Sequence, residues 1–456
     1  MSMNDIVQAI LAPGAQVFVP VLIILLGLLF KMKIRKAIKS GADLVVGFVG
    51  MSILIGALVD QITPMTKKLG AATGLHLTAI DVGWTGAAAI SWAWSLAFTF
   101  FALTIGVNLI MLILNWTNTI NADMWNVWGK VLTAYIIYYM SGSYIWAYGL
   151  TAIQVIIELK LGDLWESQIA DMFGYTNTTV THIETFTAVI MFPINRLMDF
   201  IPIFNKRIDA KSLKKKIGML SEPWAMGFII GILIGLLSRA SIASVLNFAT
   251  YMLAIMAIFP VVAKYFQSAL TPFGAAMSKY MKARFKNREF FIGLDWPIVG
   301  QSAELWVTAT INIIFFMFWA IVLPGNTTLP FAGVINYCLA VGGLLLTGGN
   351  LLRMIVLSFI YTPLFLYGAT FLAPILTKMG KMTQAIKIPA GSQVTWSSIE
   401  APDLRIMFAY MPLGKWWSYV GFVVLMVLFV FMYRHIKKAP LPSERYQELG
   451  NKKSNN

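Results

Sequence analysis

The chain has 456 residues, 58% of them hydrophobic and only 12% charged, with a mean hydropathy of +0.73. That balance excludes an ordinary soluble domain. The formal charge of +15 would suit a nucleic-acid binder, but nineteen basic residues fall in four short clusters between or after apolar runs: Lys31–Lys39, Lys206–Lys216, Lys279–Arg288 and Arg434–Lys438. This is how positive charge marks the inner loops of a membrane protein.

In chain order, the first expected crossing is Pro13–Phe30. No basic region or cleavage motif of a secretory signal accompanies it, so the N-terminus is expected outside and Lys31–Lys39 inside. Asp43–Val59 returns outward, and Gln61–Gly70, with Pro64, reads as an interruption leading to Ala79-Ile80-Asp81. A third crossing lies within Gly86–Asn115 and a fourth in Gly129–Ile157. Gly174–Thr187 interrupts again, and a fifth crossing reaches Lys206. The pattern then restarts. Pro223–Leu237 and Asn247–Val262 answer the first two crossings, Thr271-Pro272 answers Thr63-Pro64, and Gly293-Leu294-Asp295 answers Ala79-Ile80-Asp81. Leu305–Leu323 and Gly333–Leu351 follow, then Met354–Leu376, which reads either as a re-entrant hairpin or as an extra span. Charge placement puts the two Thr-Pro segments on opposite sides, which predicts inverted repeats.

The expected fold is an all-α polytopic membrane protein of about eleven helices, two inverted repeats of about five plus a final helix, with re-entrant hairpins. The expected parts are residues 1–205, a basic linker at 206–219, residues 220–413, a last span at 414–436 and an inner tail at 437–456.

Two short stretches concentrate the chemistry. Val180-Thr181-His182-Ile183-Glu184 and Val394-Thr395 followed by Ile399-Glu400 each set a carboxylate in a Thr/Ser-rich break of apolar sequence. An acid at membrane depth costs about 2.5–3.5 kcal/mol on insertion scales and so should face a cavity or a partner. Asp81, Asp295 and Asp403 share that setting. Carboxylates, imidazoles and amides suit the hydroxyls of a polyol, which makes His182, Glu184, Asp295, Glu400, Asp81 and Gln301 the candidate substrate ligands. Asp81 and Asp295 read equally as helix caps, and Asp403 and Arg405, beside Glu400, could form a local salt bridge. Trp92 and Trp94 read as interface anchors. Cys338, the single cysteine, reads as a packing residue. No nucleotide-binding loop, zinc set or cofactor motif is present in the sequence, and no cofactor or metal is expected.

At these repeated landmarks, above all Gly293-Leu294-Asp295-Trp296-Pro297-Ile298-Val299-Gly300, the chain resembles the membrane (IIC) component of the galactitol family of the sugar phosphotransferase system. It is more distantly similar to the ascorbate permease. The resemblance runs nearly end to end. It implies a homodimeric, elevator-like permease of the cell membrane that binds a polyol at its hairpin tips, pointing to His182, Glu184, Glu400 and Asp295. It also implies separate IIA and IIB partners, with IIB phosphorylating the substrate as it is released inward. Buried acids and inverted repeats fit an ion-coupled secondary transporter as well, and less naturally a membrane-embedded transferase.

Overall fold

Apolar sequence in this chain folds mainly into helices because a helix satisfies its own backbone polar groups where water is absent. The computed structural model describes residues 15–29, 31–124, 126–206, 218–284, 289–294, 296–300, 302–332, 338–386, 388 and 391–444. In chain order these give α1 (Ala15–Leu29), α2 (Ile34–Thr73), β1 (Ala79–Asp81), α3 (Gly83–Trp92), α4 (Thr99–Ile113), β2 (Thr119–Asn121), α5 (Val127–Ser141), α6 (Tyr144–Phe173), β3 (Thr178–Val180) and α7 (Ala188–Met198). They continue as α8 (Pro223–Leu237), α9 (Ile242–Arg284), β4 (Phe291–Leu294), α10 (Trp296–Val299), α11 (Ala303–Val322), β5 (Thr328–Leu329), α12 (Cys338–Thr347), α13 (Leu351–Thr383), β6 (Gln393–Thr395), α14 (Pro402–Tyr410) and α15 (Trp416–Lys438). Among the described residues, six helices are long and apolar enough to cross a bilayer: α2, α6, α11, α13, α15 and the Ile242–Phe259 part of α9.

Several boundaries differ from the sequence reading. The expected interruption at Gln61–Gly70 is helical: α2 runs 40 residues through Pro64 and ends where Gly74 turns left-handed at φ 73°. A membrane helix tolerates a proline because neighbouring helices help satisfy the freed backbone groups. Thr271-Pro272 is likewise inside α9. The third expected crossing is two helices, α3 and α4. The fourth is also two, broken at Gly142 (φ 69°) and Ser143, whose hydroxyl caps α6 by accepting from the Trp146 amide. Met354–Leu376 is not a hairpin: it lies inside the single 33-residue helix α13, separate from α12 and long enough to be the extra span. With 11 residues, α7 is too short to span alone.

Helices α1, α2, α8 and α9 pack together. Gly227, Gly231 and Gly235 lie four residues apart on α8, and a Cβ at each would come within 2.4–2.9 Å of Met252, Ala249 or Val245 of α9. Such small-residue stripes let membrane helices approach closely. Polar ties join α2 to its neighbours, from Ser238 Oγ to the Met65 carbonyl at 3.2 Å and from Ser268 Oγ to Asp43 Oδ2 at 2.7 Å.

The six strands form two small parallel sheets, ordered β5-β1-β6 and β2-β4-β3. Each central strand comes from one half of the chain and both its neighbours come from the other. The registers match. Ile80 pairs with Val394 in one sheet, and Leu294 pairs with Val180 in the other. A strand edge inside a membrane protein must find such partners. The two sheets thereby interlock the halves and place the loops after β3 and β6, which carry the candidate acids.

Candidate functional site

Each loop leaves its strand by its own local chemistry. After β3, His182 stays extended (φ −131°) and Ile183–Thr187 tightens into a 3₁₀ turn. The hydroxyls of Thr185 and Thr187 donate to the carbonyls of His182 and Glu184 at 2.9 and 2.8 Å, closing that turn with side chains. After β6, Trp396 Nε1 donates to Ser398 Oγ at 3.0 Å. Ala401 then sits in the left-handed region at φ 43°, with Pro402 opening α14. A non-glycine residue there is strained, and the turn directs Glu400 back toward the first loop.

The structure brings His182, Glu184 and Glu400 together. His182 Nδ1 lies 3.5 Å from Glu184 Oε2, and Nε2 lies 3.4 Å from Glu400 Oε1. All three are buried, at 2%, 0% and 1% exposure. Arg405 holds the far side of Glu400. Its Nη2 donates to Glu400 Oε2 at 3.1 Å, Nε to the Glu400 carbonyl at 2.8 Å, and Nη1 to the Gly129 carbonyl at 2.9 Å and to Thr133 Oγ1. The floor is therefore α5, which meets the cluster as bare backbone at Gly129. One ligand atom from each of the three residues falls within 4.8 Å of the others. The two carboxylates, however, face opposite nitrogens of one ring, and Arg405 already gives Glu400 a cation, so the set fits an organic hydrogen-bonding ligand better than a metal ion.

Two flanking features were missed from sequence. Lys130 of α5 and Glu158 of α6 form a fully buried ion pair, extended by Gln154 Nε2 donating to Glu158 Oε1 at 2.8 Å and Lys130 Nζ to the Asn126 carbonyl at 3.3 Å. Both residues interrupt apolar runs, which signals burial but not which partner each takes. The second is an aromatic row, Trp84–Trp128–Trp396, with ring centroids 6.3 and 5.4 Å apart.

The other candidates lie elsewhere. Asp81 is fully buried and joins three segments. Its Oδ1 accepts from the Gly83 amide at 3.0 Å and the Ser397 amide at 3.0 Å. Its Oδ2 accepts from the Phe331 amide at 2.8 Å and from Ser397 Oγ. The bond to Gly83, two residues on, is a local Asp turn ahead of α3, whose cap position is Val82, and the other bonds reach the opposite half of the chain. Asp295 and Gln301 lie outside the described residues. Asp403 does not pair with Arg405; it accepts from Tyr361 Oη at 3.4 Å, while Arg405 takes Glu400. Trp92 and Trp94 are not interface anchors but buried packing groups, Trp92 stacked on Phe101 and Trp94 on Tyr135 at 5.4 and 4.7 Å. The side chain of Cys338 is outside the described set.

The arrangement offers two acceptor carboxylates, an imidazole that can donate or accept, and a guanidinium that fixes one carboxylate. Such a set can hold hydroxyl groups and take a proton from one. The family EIIC-GAT, described as the "PTS system sugar-specific permease component", matches residues 9–391. Two curated proteins named "PTS system galactitol-specific EIIC component", from Escherichia coli K12 and O157:H7, are each 28% identical over 409 residues, covering 87% of this chain and 90% of the relative.

Proposed function

This chain belongs to the sugar-specific permease family of the phosphotransferase system, and on that premise we propose that it carries galactitol or a related polyol across the cell membrane and presents it to a separate IIB subunit for phosphorylation. The observation that carries the reading is the meeting of His182–Glu184 with Glu400–Arg405 from corresponding loops of the two halves. Glu184 and Glu400 accept polyol hydroxyls there, and His182 stands between them to donate or to take a proton. The His182–Glu184 pair orients the hydroxyl that receives the phosphoryl group and accepts its proton as the new oxygen–phosphorus bond forms and the bond holding the phosphoryl group to IIB breaks, leaving dephosphorylated IIB. Asp295 and Gln301 are proposed to complete the site, and Asp81 to hold its framework.

Residues 1–205 and 220–413 act as inverted repeats joined by 206–219, and the span at 414–436 ends in the inner tail at 437–456. The matched registers of the two sheets support that division, though the third and fourth expected crossings are each built from two helices. The four-helix layer of α1, α2, α8 and α9 supports a scaffold against which the site-bearing part moves in an elevator-type step, within a homodimer. The N-terminus faces outside and the C-terminus the cytoplasm, as the basic clusters imply.

The test uses proteoliposomes holding the purified chain. Labelled polyol should accumulate inside as its phosphate only when phosphorylated IIB is enclosed. Accumulation of unmodified polyol driven by a proton or sodium gradient, with no phosphoryl donor, would overturn the proposal.

A further inference from the structure

Gly129 lies inside helix α5, where glycine is a poorer choice than alanine, and it has no positive φ to account for it. Its surroundings do account for it. A Cβ built at this position would lie 3.3 Å from Glu400 Oε2, 3.5 Å from Arg405 Nη2 and 4.0 Å from His182 Nε2. Those are its three nearest neighbours beyond its own helix backbone, and each belongs to the candidate site. The other glycines of the described helices meet apolar side chains (methionine and proline among them), threonines, backbone or open space. The stripe on α8, for example, serves helix packing alone. The carbonyl of Gly129 also accepts from Arg405 at 2.9 Å, so this one residue holds the guanidinium and leaves room for the carboxylate that the guanidinium fixes.

We propose that Gly129 is a specificity-determining residue, whose bare backbone sets the spacing of Glu400 and His182 and thereby which polyols fit between them. The inference rests on the reading of His182, Glu184 and Glu400 as the polyol site. A methyl group at 129 sits tighter than ordinary contact against Glu400, so the carboxylate must move by a few tenths of an ångström and the imidazole faces an apolar surface. Ligands that bridge the two groups then lose one contact. Stereoisomers differ in which hydroxyl makes that bridge, so they lose to different degrees.

The test is equilibrium binding of labelled galactitol to the purified full chain, with unlabelled five- and six-carbon polyols as competitors. Gly129→Ala should fold with an unchanged or higher melting temperature, bind galactitol at least tenfold more weakly, and reorder the competitors. Combining it with Glu400→Asp, which withdraws the carboxylate by one methylene, should cost less than the product of the two single losses. Unchanged affinity and competitor order in Gly129→Ala, alongside lost binding in Glu400→Gln, would overturn the proposal and leave the site standing. Wild-type binding in Glu400→Gln would instead overturn the site itself. If Gly129→Ala does not fold, the double variant decides: recovery of folded, binding protein supports the spacing role, and continued misfolding makes Gly129 a packing residue and overturns it.

Discussion

The loops after β3 and β6 leave equivalent strand positions, since Val180 pairs with Leu294 and Val394 with Ile80, yet they deliver their acids differently. The first is compact. Glu184 comes four residues after Val180, within a 3₁₀ turn closed by threonine hydroxyls, and it faces the His182 imidazole at 3.5 Å. The second is longer, passes through the left-handed Ala401, and clamps Glu400 with a guanidinium that is itself bonded to α5. Both carboxylates thus face the imidazole, whose charge and hydrogen-bonding sense can change, while Glu400 is also held by a permanent cation. Loops on matching strand registers thus build an asymmetric site.

The sharpest way to break this comparison is to remove the support beneath both loops. Lys130→Ala leaves Glu158 charged and buried without its cation, and should cost about 3–5 kcal/mol, read as lost folded yield and a lowered melting temperature. Lys130→Met with Glu158→Met should recover most of that stability, because replacing a buried pair by apolar groups of similar size is often neutral. Next in size is Arg405→Lys. It keeps the charge but not the planar fork that reaches both Glu400 and α5, so polyol affinity should fall roughly 10- to 100-fold, about 1.4–2.7 kcal/mol, with the fold intact. Calorimetry on the solubilised variant would check it. A smaller effect is expected from Asp81→Asn, since an amide nitrogen cannot accept the bonds now made to one of the carboxylate oxygens. Melting should drop by about 1–3 kcal/mol equivalent with little change in which polyols compete. The smallest is Ala401→Gly, which relieves the left-handed strain and should raise stability by up to about 1 kcal/mol, with a modest loss of affinity as Glu400 becomes less fixed.

The carboxylate loops were legible because an acid inside an apolar run is costly enough to imply a purpose. Their correspondence was legible because the Val-Thr pairs repeat. The strands were not: two to four residues are too few for any alternation to show, and their pairing joins distant segments. Pro64 misled because its breaking effect is local while the long α2 packs against α1 and α9. Gly142-Ser143, by contrast, carried a readable stop and cap that split the expected fourth crossing. Lys130 and Glu158 stood out individually, but only the packing of α5 on α6 makes them partners. Gly129 offers no side chain to read, and its role emerges only from what a Cβ would meet.

The most direct test of the central claim is binding of labelled galactitol to the purified chain, with no soluble partners present, in the wild type, Glu184→Gln, Glu400→Gln and Asp403→Asn. The account predicts saturable binding in the wild type and in Asp403→Asn, and at least 100-fold weaker binding in each of the other two. Full affinity in both Glu184→Gln and Glu400→Gln would contradict it.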